Sequence, residues 1–389
     1  MKLHRWFLFA LSLSCLPLMG SSCDDGILFK EIGLELAAPI AVAVDTAKRR
    51  AYVVNSNNNV EFTSTTFSVL DLTDPANPAL LDHANNPFPQ PQFSGQIYLD
   101  AAAGKAYVTN RESDNADDHV DALLSINIDE ASADFGSIES FTAGENPFGI
   151  ACCDAQGRLY VVNSGGEGDG ALLAYNPADL STFVQISLEV NSSDHGSFSG
   201  EESEEVVLLG NRAFVTSRFG NVYVINTDEV GDGSKNPIDA VIFNDDDGEY
   251  RGIATDGTFL YVADADRDVE AVRVLDPSLV PVVDPDVALI NELDIAEVQV
   301  GAFEVGDEPN EVAAYNGRVY VSNRLDDTVS VIDTAANSVI ATVPVGEEPY
   351  GITPFTMDGI DYVYVTNLRS NSISIIDPAT NTVIRTFQP

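Results

Sequence analysis

Short runs in which every second residue is Val, Ile, Leu, Tyr or Phe recur along the chain, separated by clusters of Asp, Asn, Gly, Ser and Pro. Period-two alternation rich in β-branched and aromatic residues predicts half-buried strands, and the polar clusters predict turns. One run recurs almost unchanged: "AYVVN" at 51, "AYVTN" at 106, "LYVVN" at 159, "AFVTS" at 213, "LYVAD" at 260, "VYVSN" at 319 and "VYVTN" at 363. Its aromatic falls at Tyr52, Tyr107, Tyr160, Phe214, Tyr261, Tyr320 and Tyr364, at intervals of 44 to 59 residues. Self-similarity at such a period points to an array of supersecondary units.

Each unit carries four strand segments. In the sixth they read a "EVAAY", b "RVYVSN", c "TVSVIDT" and d "SVIATVPV", with Asn316-Gly317 as the hairpin turn between a and b. Strand c ends on Asp71, Asn127, Asn176, Asn226, Asp276, Asp333 or Asp377, whose side chains suit a turn that bonds the backbone two residues on. From the apolar residue that opens strand a (Val42, Ile97, Ile150, Val206, Ile253, Val312, Ile352) to the aromatic of strand b the interval is 10, 10, 10, 8, 8, 8 and 12. All intervals are even, so every hairpin keeps the same faces. Without helical periodicity between them, seven such units predict an all-β chain: a seven-bladed β-propeller of four-stranded antiparallel blades over 37–389.

Residues 1–22 break the pattern. Lys2 and Arg5 precede the apolar "WFLFALSLSCLPLM", the make-up of a secretory signal peptide, and the run is too short to span a bilayer as a helix. "LMGSSC" resembles a bacterial lipobox, although Gly20 stands where that pattern prefers leucine; the resemblance implies lipidation at Cys23. Residues 23–36 then form an anchor whose "GILFKEIGLEL" is a candidate latch on the outer edge of the last blade. The expected location is the periplasm or the cell surface, with membrane contact through the lipid alone.

Removing Lys2 and Arg5 takes the net charge from −42 to −44. Such a surface keeps a chain soluble and repels polyanions, which excludes nucleic acid as a partner and favours a monomer. Cys152 and Cys153 are the only cysteines after Cys23, and in an apolar strand they read as buried small hydrophobes, with a vicinal disulfide or a thiol metal site as the alternatives.

With that frame, "VYVSNRLDDTVSVIDTAANSVIATVPVGEEPYGI" and "SISIIDPATNTVIRTFQP" resemble the bacterial propellers named for their YVTN repeat. The similarity is close across units six and seven; units one to five match mainly in strands b and c. The resemblance implies an exported propeller with no universal catalytic motif.

In a propeller, strand a lines the channel, and its start shares a face with the end of strand b. One residue per blade then surrounds the channel mouth: Ala41, Gln96, Gly149, Glu205, Gly252, Glu311 and Gly351. The preceding ring is Ile40, Gly95, Phe148, Glu204, Arg251, Asn310 and Tyr350, and Arg111, Arg218 and Arg324 follow strand b in blades two, four and six. Gln96, Glu205 and Glu311 are each expected within reach of the arginine of their own hairpin. The site candidates are thus Gln96, Glu204, Glu205, Arg251, Asn310, Glu311, Tyr350, Arg111, Arg218 and Arg324, read first as intrablade ion pairs closing the blade tops and alternatively as a mouth for a small polar ligand or an envelope protein.

Catalytic signals are sparse. His83, His119 and His195 share no metal-ligand spacing, and G-x-S-x-G, C-x-x-C-H and P-loop motifs do not occur. "NDDDGEY" at 244 and "NTDEVGDGSKN" at 226 gather oxygen ligands without a full calcium loop, so no cofactor is expected, with calcium as the exception to test. The reading is a non-enzymatic binding or scaffold propeller; the alternative is a lactonase-like hydrolase using channel-mouth carboxylates and a divalent metal. The long segment of blade five, "DPSLVPVVDPDVALINELDIAEVQV", reads either as an extra element under the blade or as a docking surface.

Overall fold

The computed structural model describes residues 36–56, 66–81, 94–111, 121–165, 170–192, 197–244, 248–282 and 290–389. Seven antiparallel sheets follow one another along the chain, each with its strands in the order a, b, c, d. The innermost strands are Pro39–Asp45, Ser94–Asp100, Pro147–Ala151, Ser203–Leu209, Tyr250–Thr255, Pro309–Tyr315 and Pro349–Met357, and each contacts the innermost strand of the next blade. The last contacts the first, so the ring closes as a seven-bladed propeller.

Register is the same in every blade. The repeated aromatic pairs with the residue after the apolar opening of strand a: Tyr52 with Ala43, Tyr107 with Tyr98, Tyr160 with Ala151, Phe214 with Val207, Tyr261 with Ala254, Tyr320 with Ala313 and Tyr364 with Thr353. These aromatics are at most 3% exposed. Each belongs to a different apolar cluster, one between every adjacent pair of blades. A four-stranded blade has two apolar faces and hides neither alone, so these clusters are what the closed ring buries. At the far end of strand c the seven Asp or Asn side chains accept from the backbone N–H two residues on, at 2.9 to 3.1 Å.

Among the described residues, closure uses side chains rather than a shared strand. All four strands of the last blade come from Pro349–Phe387. Thr366 Oγ1 donates to the Ile40 carbonyl, Thr353 Oγ1 to that of Val42 and Tyr364 Oη to that of Pro75, and Arg49 pairs with Asp358 at 2.8 Å. Leu36 is buried in the cluster between the last and first blades, and the Ala38 N–H donates to Asn371 Oδ1 at 2.7 Å. The remainder of the expected latch, 26–35, lies outside the described residues, as do the signal segment, Cys23 and the three histidines at 83, 119 and 195.

Blade five resolves the question of its long segment. Asn291–Asp294 runs parallel to Ile238–Phe243, adding a fifth strand to the outer edge of blade four. Helix Ile295–Val298, with a capping box from Asp294 and Glu297, then turns the chain into Gln299–Glu304, the outermost strand of blade five. Arg212 pins the segment by donating to the carbonyls of Val280 and Pro281 while pairing with Asp239 at 3.0 Å. The inserted segment thus covers an edge that would otherwise offer unpaired backbone groups.

Cys152 and Cys153 depart from expectation. They form a disulfide with each other, and Cys153 is exposed with its sulfur 3.6 Å from the Tyr98 hydroxyl. The pair lies just past the end of strand Pro147–Ala151, where alternation between two buried faces no longer applies.

Candidate functional site

The two rings of mouth residues sit in a β-bulge that strand a carries in every blade. In blade four Ser203 pairs with Ser217 and Val206 with Val215, leaving Glu204 and Glu205 between them unpaired by the ladder; Gln96, Arg251, Asn310, Glu311 and Tyr350 occupy equivalent places. A bulge leaves an N–H without a ladder partner and re-aims side chains. A hydroxyl on strand b fills the vacancy: Thr109 Oγ1 accepts from Gln96 N at 2.9 Å, Thr216 from Glu205 N at 3.2 Å, Ser322 from Glu311 N at 3.0 Å and Thr366 from Gly351 N at 2.8 Å. Each hydroxyl donates onward to a carbonyl of the next blade: Phe148, Arg251, Tyr350 and Ile40. The threonine of the repeated motif therefore holds the bulge and staples neighbouring blades.

At the lower ring, side chains from opposite sides of the channel meet. Gln96 Nε2 donates to Glu311 Oε2 at 3.0 Å. These residues belong to blades two and six, three blades apart the short way round, so the bond crosses the channel. Glu205, from blade four, is buried in the same ring. Burial, then the neighbouring charges of Glu311 and Glu204, push the Glu205 carboxyl well above the usual carboxylate range. Burial likewise raises Glu311, to about 8, against the opposing bonds from Gln96 and the Val312 N–H. Burial and mutual repulsion both disfavour the charged forms, so the two carboxyl groups titrate as a pair. Glycine lines the neighbouring position: a Cβ on Gly149 would stand 2.5 Å from the Glu204 carbonyl oxygen and 3.1 Å from Glu205 Oε2.

One residue towards the mouth, the ring is aromatic and ionic. Phe148 and Tyr350, from blades three and seven, meet edge to face with centroids 6.4 Å apart, and the Arg111 guanidinium lies 4.7 Å above the Phe148 ring. Burial raises the Tyr350 phenol to about 12; nearby Glu204 adds to the rise, while Arg111, Arg218 and Arg251 oppose it, which brings these groups to one locus. Arg218 pairs with Glu204. Arg251 pairs with Glu249 at 2.7 Å and Glu308 at 2.9 Å and donates to Asn310 Oδ1 at 3.4 Å. Arg324 pairs with Glu308 at 2.5 Å and Glu348 at 3.7 Å, and Arg369 reaches Glu348 at 3.4 Å.

The arginine assignment therefore differs from the sequence expectation. Arg111, Arg218 and Arg324 contact Phe148, Glu204 and Glu308 rather than Gln96, Glu205 and Glu311. The physical reason is the bulge: it sends the lower-ring side chains to the axis, away from the ends of strand b, and leaves the turn residues above to meet the arginines. Glu249, Glu308 and Glu348 were not singled out by the sequence reading, yet "GEY", "GDEP" and "GEEP" precede strand a in blades five, six and seven. Among the described residues no group of three or more His, Cys, Asp or Glu side chains is placed to hold a metal ion. The loop 112–120 and residues 245–247 of the acidic stretch at 244 lie outside the described residues.

No protein-family model and no curated protein sequence matches the chain. Solved structures do. The chain is similar to Kuenenia stuttgartiensis hydrazine synthase (TM-score 0.62, 15% identity, 88% of this chain and 96% of the other), to the WD40 β-propeller domain of Doa1 (0.58, 9%, 88% and 96%) and to the computationally designed Ika8 protein (0.55, 11%, 91% and 89%). What they share is the propeller fold. At these identities the likeness extends no further than the fold.

Proposed function

We propose that the protein is a non-enzymatic binding or scaffold propeller of the bacterial cell envelope, exported by its N-terminal signal, anchored through a lipid on Cys23, and docking a partner protein on the mouth face. The observation that carries this reading is the pair Phe219 and Leu325, 52% and 51% exposed, on the turns that directly follow Arg218 and Arg324. Exposed apolar side chains set among charged groups that neutralise one another are the make-up of a docking surface, where a few large residues supply most of the affinity. The ion pairs of Arg218, Arg251 and Arg324 hold the surrounding backbone.

A Phe219→Ser/Leu325→Ser double variant tests the reading by affinity purification from the native envelope beside the wild type. The expected result is loss of a specific wild-type partner with the melting temperature unchanged, because both side chains are exposed. Retention of every wild-type partner by the folded variant contradicts it.

A further inference from the structure

We infer that Glu205, Glu311 and Gln96 form a binding site for one hard divalent cation, of the calcium class, on the channel axis. This site is distinct from the docking face and does not depend on it. Three observations converge. First, the donors occupy one ring in blades four, six and two, and Gln96 and Glu311 meet across the channel only because the ring closes. Second, Glu205 is 8% exposed, and its Oε1 has no hydrogen-bond partner among the described residues. A buried carboxylate oxygen left unmatched is costly unless a cation or water reaches it. Third, the arginines nearest the axis are engaged by other carboxylates: Arg218 by Glu204, Arg251 by Glu249 and Glu308, Arg324 by Glu308 and Glu348.

The donor set selects the ion. Two carboxylates and a carboxamide supply oxygen alone, which suits calcium or magnesium and disfavours metals that prefer sulfur or imidazole. Gln96 presents Oε1 once its amide turns over, and water completes the shell. The Phe148 and Tyr350 rings above, 6.4 Å apart, favour a small ion over an organic ammonium with a bulky body.

The test is calorimetric titration of the mature, chelator-treated protein with CaCl2 at pH 7. The expected result is one saturable site per chain. Glu205→Gln/Glu311→Gln is expected to fold and to lose that site, whereas the exposed control Asp232→Asn retains it. Weak, non-saturable uptake that the double variant shares, as an adventitious ion on an acidic surface would give, overturns the inference, and so does the absence of binding to the wild type.

Discussion

Replacing Glu311 by Gln removes one carboxyl of the axial pair and keeps an amide oxygen to accept from Gln96. The folded protein holds Glu311 near pH 8, against about 4.5 when unfolded, because burial disfavours its charge. A raised value means that the folded state binds the proton more tightly. The associated stability is present in full below about pH 4.5 and is lost as pH rises through about 8. Each pH unit in that window costs the wild type at most about 1.4 kcal/mol, so the whole window costs at most about 5 kcal/mol. With an unfolding entropy of about 2.1 cal/mol/K per residue, 1 kcal/mol shifts the melting temperature of a propeller of this length by roughly 1.4 °C. Thermal unfolding of both proteins from pH 5 to 9 in EDTA, followed by circular dichroism, measures the difference with bound metal excluded. The two should melt within about 1 °C at pH 5, and Glu311→Gln should melt about 3–7 °C higher at pH 8.5. Parallel curves across the range, or a variant less stable at every pH, refute the account of the pair as a shared proton site.

Further outcomes follow from other parts of the ring. Thr216→Val leaves the Glu205 N–H and the Arg251 carbonyl without their shared hydroxyl and should cost about 1–3 kcal/mol in urea denaturation; a loss below about 0.5 kcal/mol, within the usual range for surface changes, argues against the staple. Deleting 26–36 removes buried Leu36 from the closure between the last and first blades and should destabilise by about 2–3 kcal/mol; an unchanged melting temperature rules out the latch. Cys23→Ser should move the exported protein from the membrane fraction to the soluble one, and equal partitioning contradicts lipid anchoring. Mature protein should show tyrosine emission alone, since Trp6 is the single tryptophan and lies in the signal segment, so tryptophan emission from purified mature protein contradicts cleavage.

Blade number, strand order, hairpin register and the Asp or Asn turns after strand c were all legible because each is set by period two or by a side chain acting within two residues. The mouth rings were legible as positions for the same reason. Their partners were not, since Gln96 and Glu311 lie 215 residues apart and meet through ring closure. The bulge was also hidden: its one extra residue lies before the apolar opening of strand a, outside the even interval, although the threonine or serine at 109, 216, 322 and 366 marks where its hydroxyl partner sits. Parallel addition of Asn291–Asp294 to blade four likewise depends on a neighbour that its own pattern does not name.

The central claim is that the mouth face, and not the blade rim, engages a partner. A photo-crosslinking amino acid placed at Phe219, compared with one at the exposed rim residue Ile384, tests it in intact cells. The account predicts a discrete crosslinked species from position 219 that is absent at 384 and is lost when Leu325→Ser is added. No adduct at 219, or the same adduct from both positions, would contradict it.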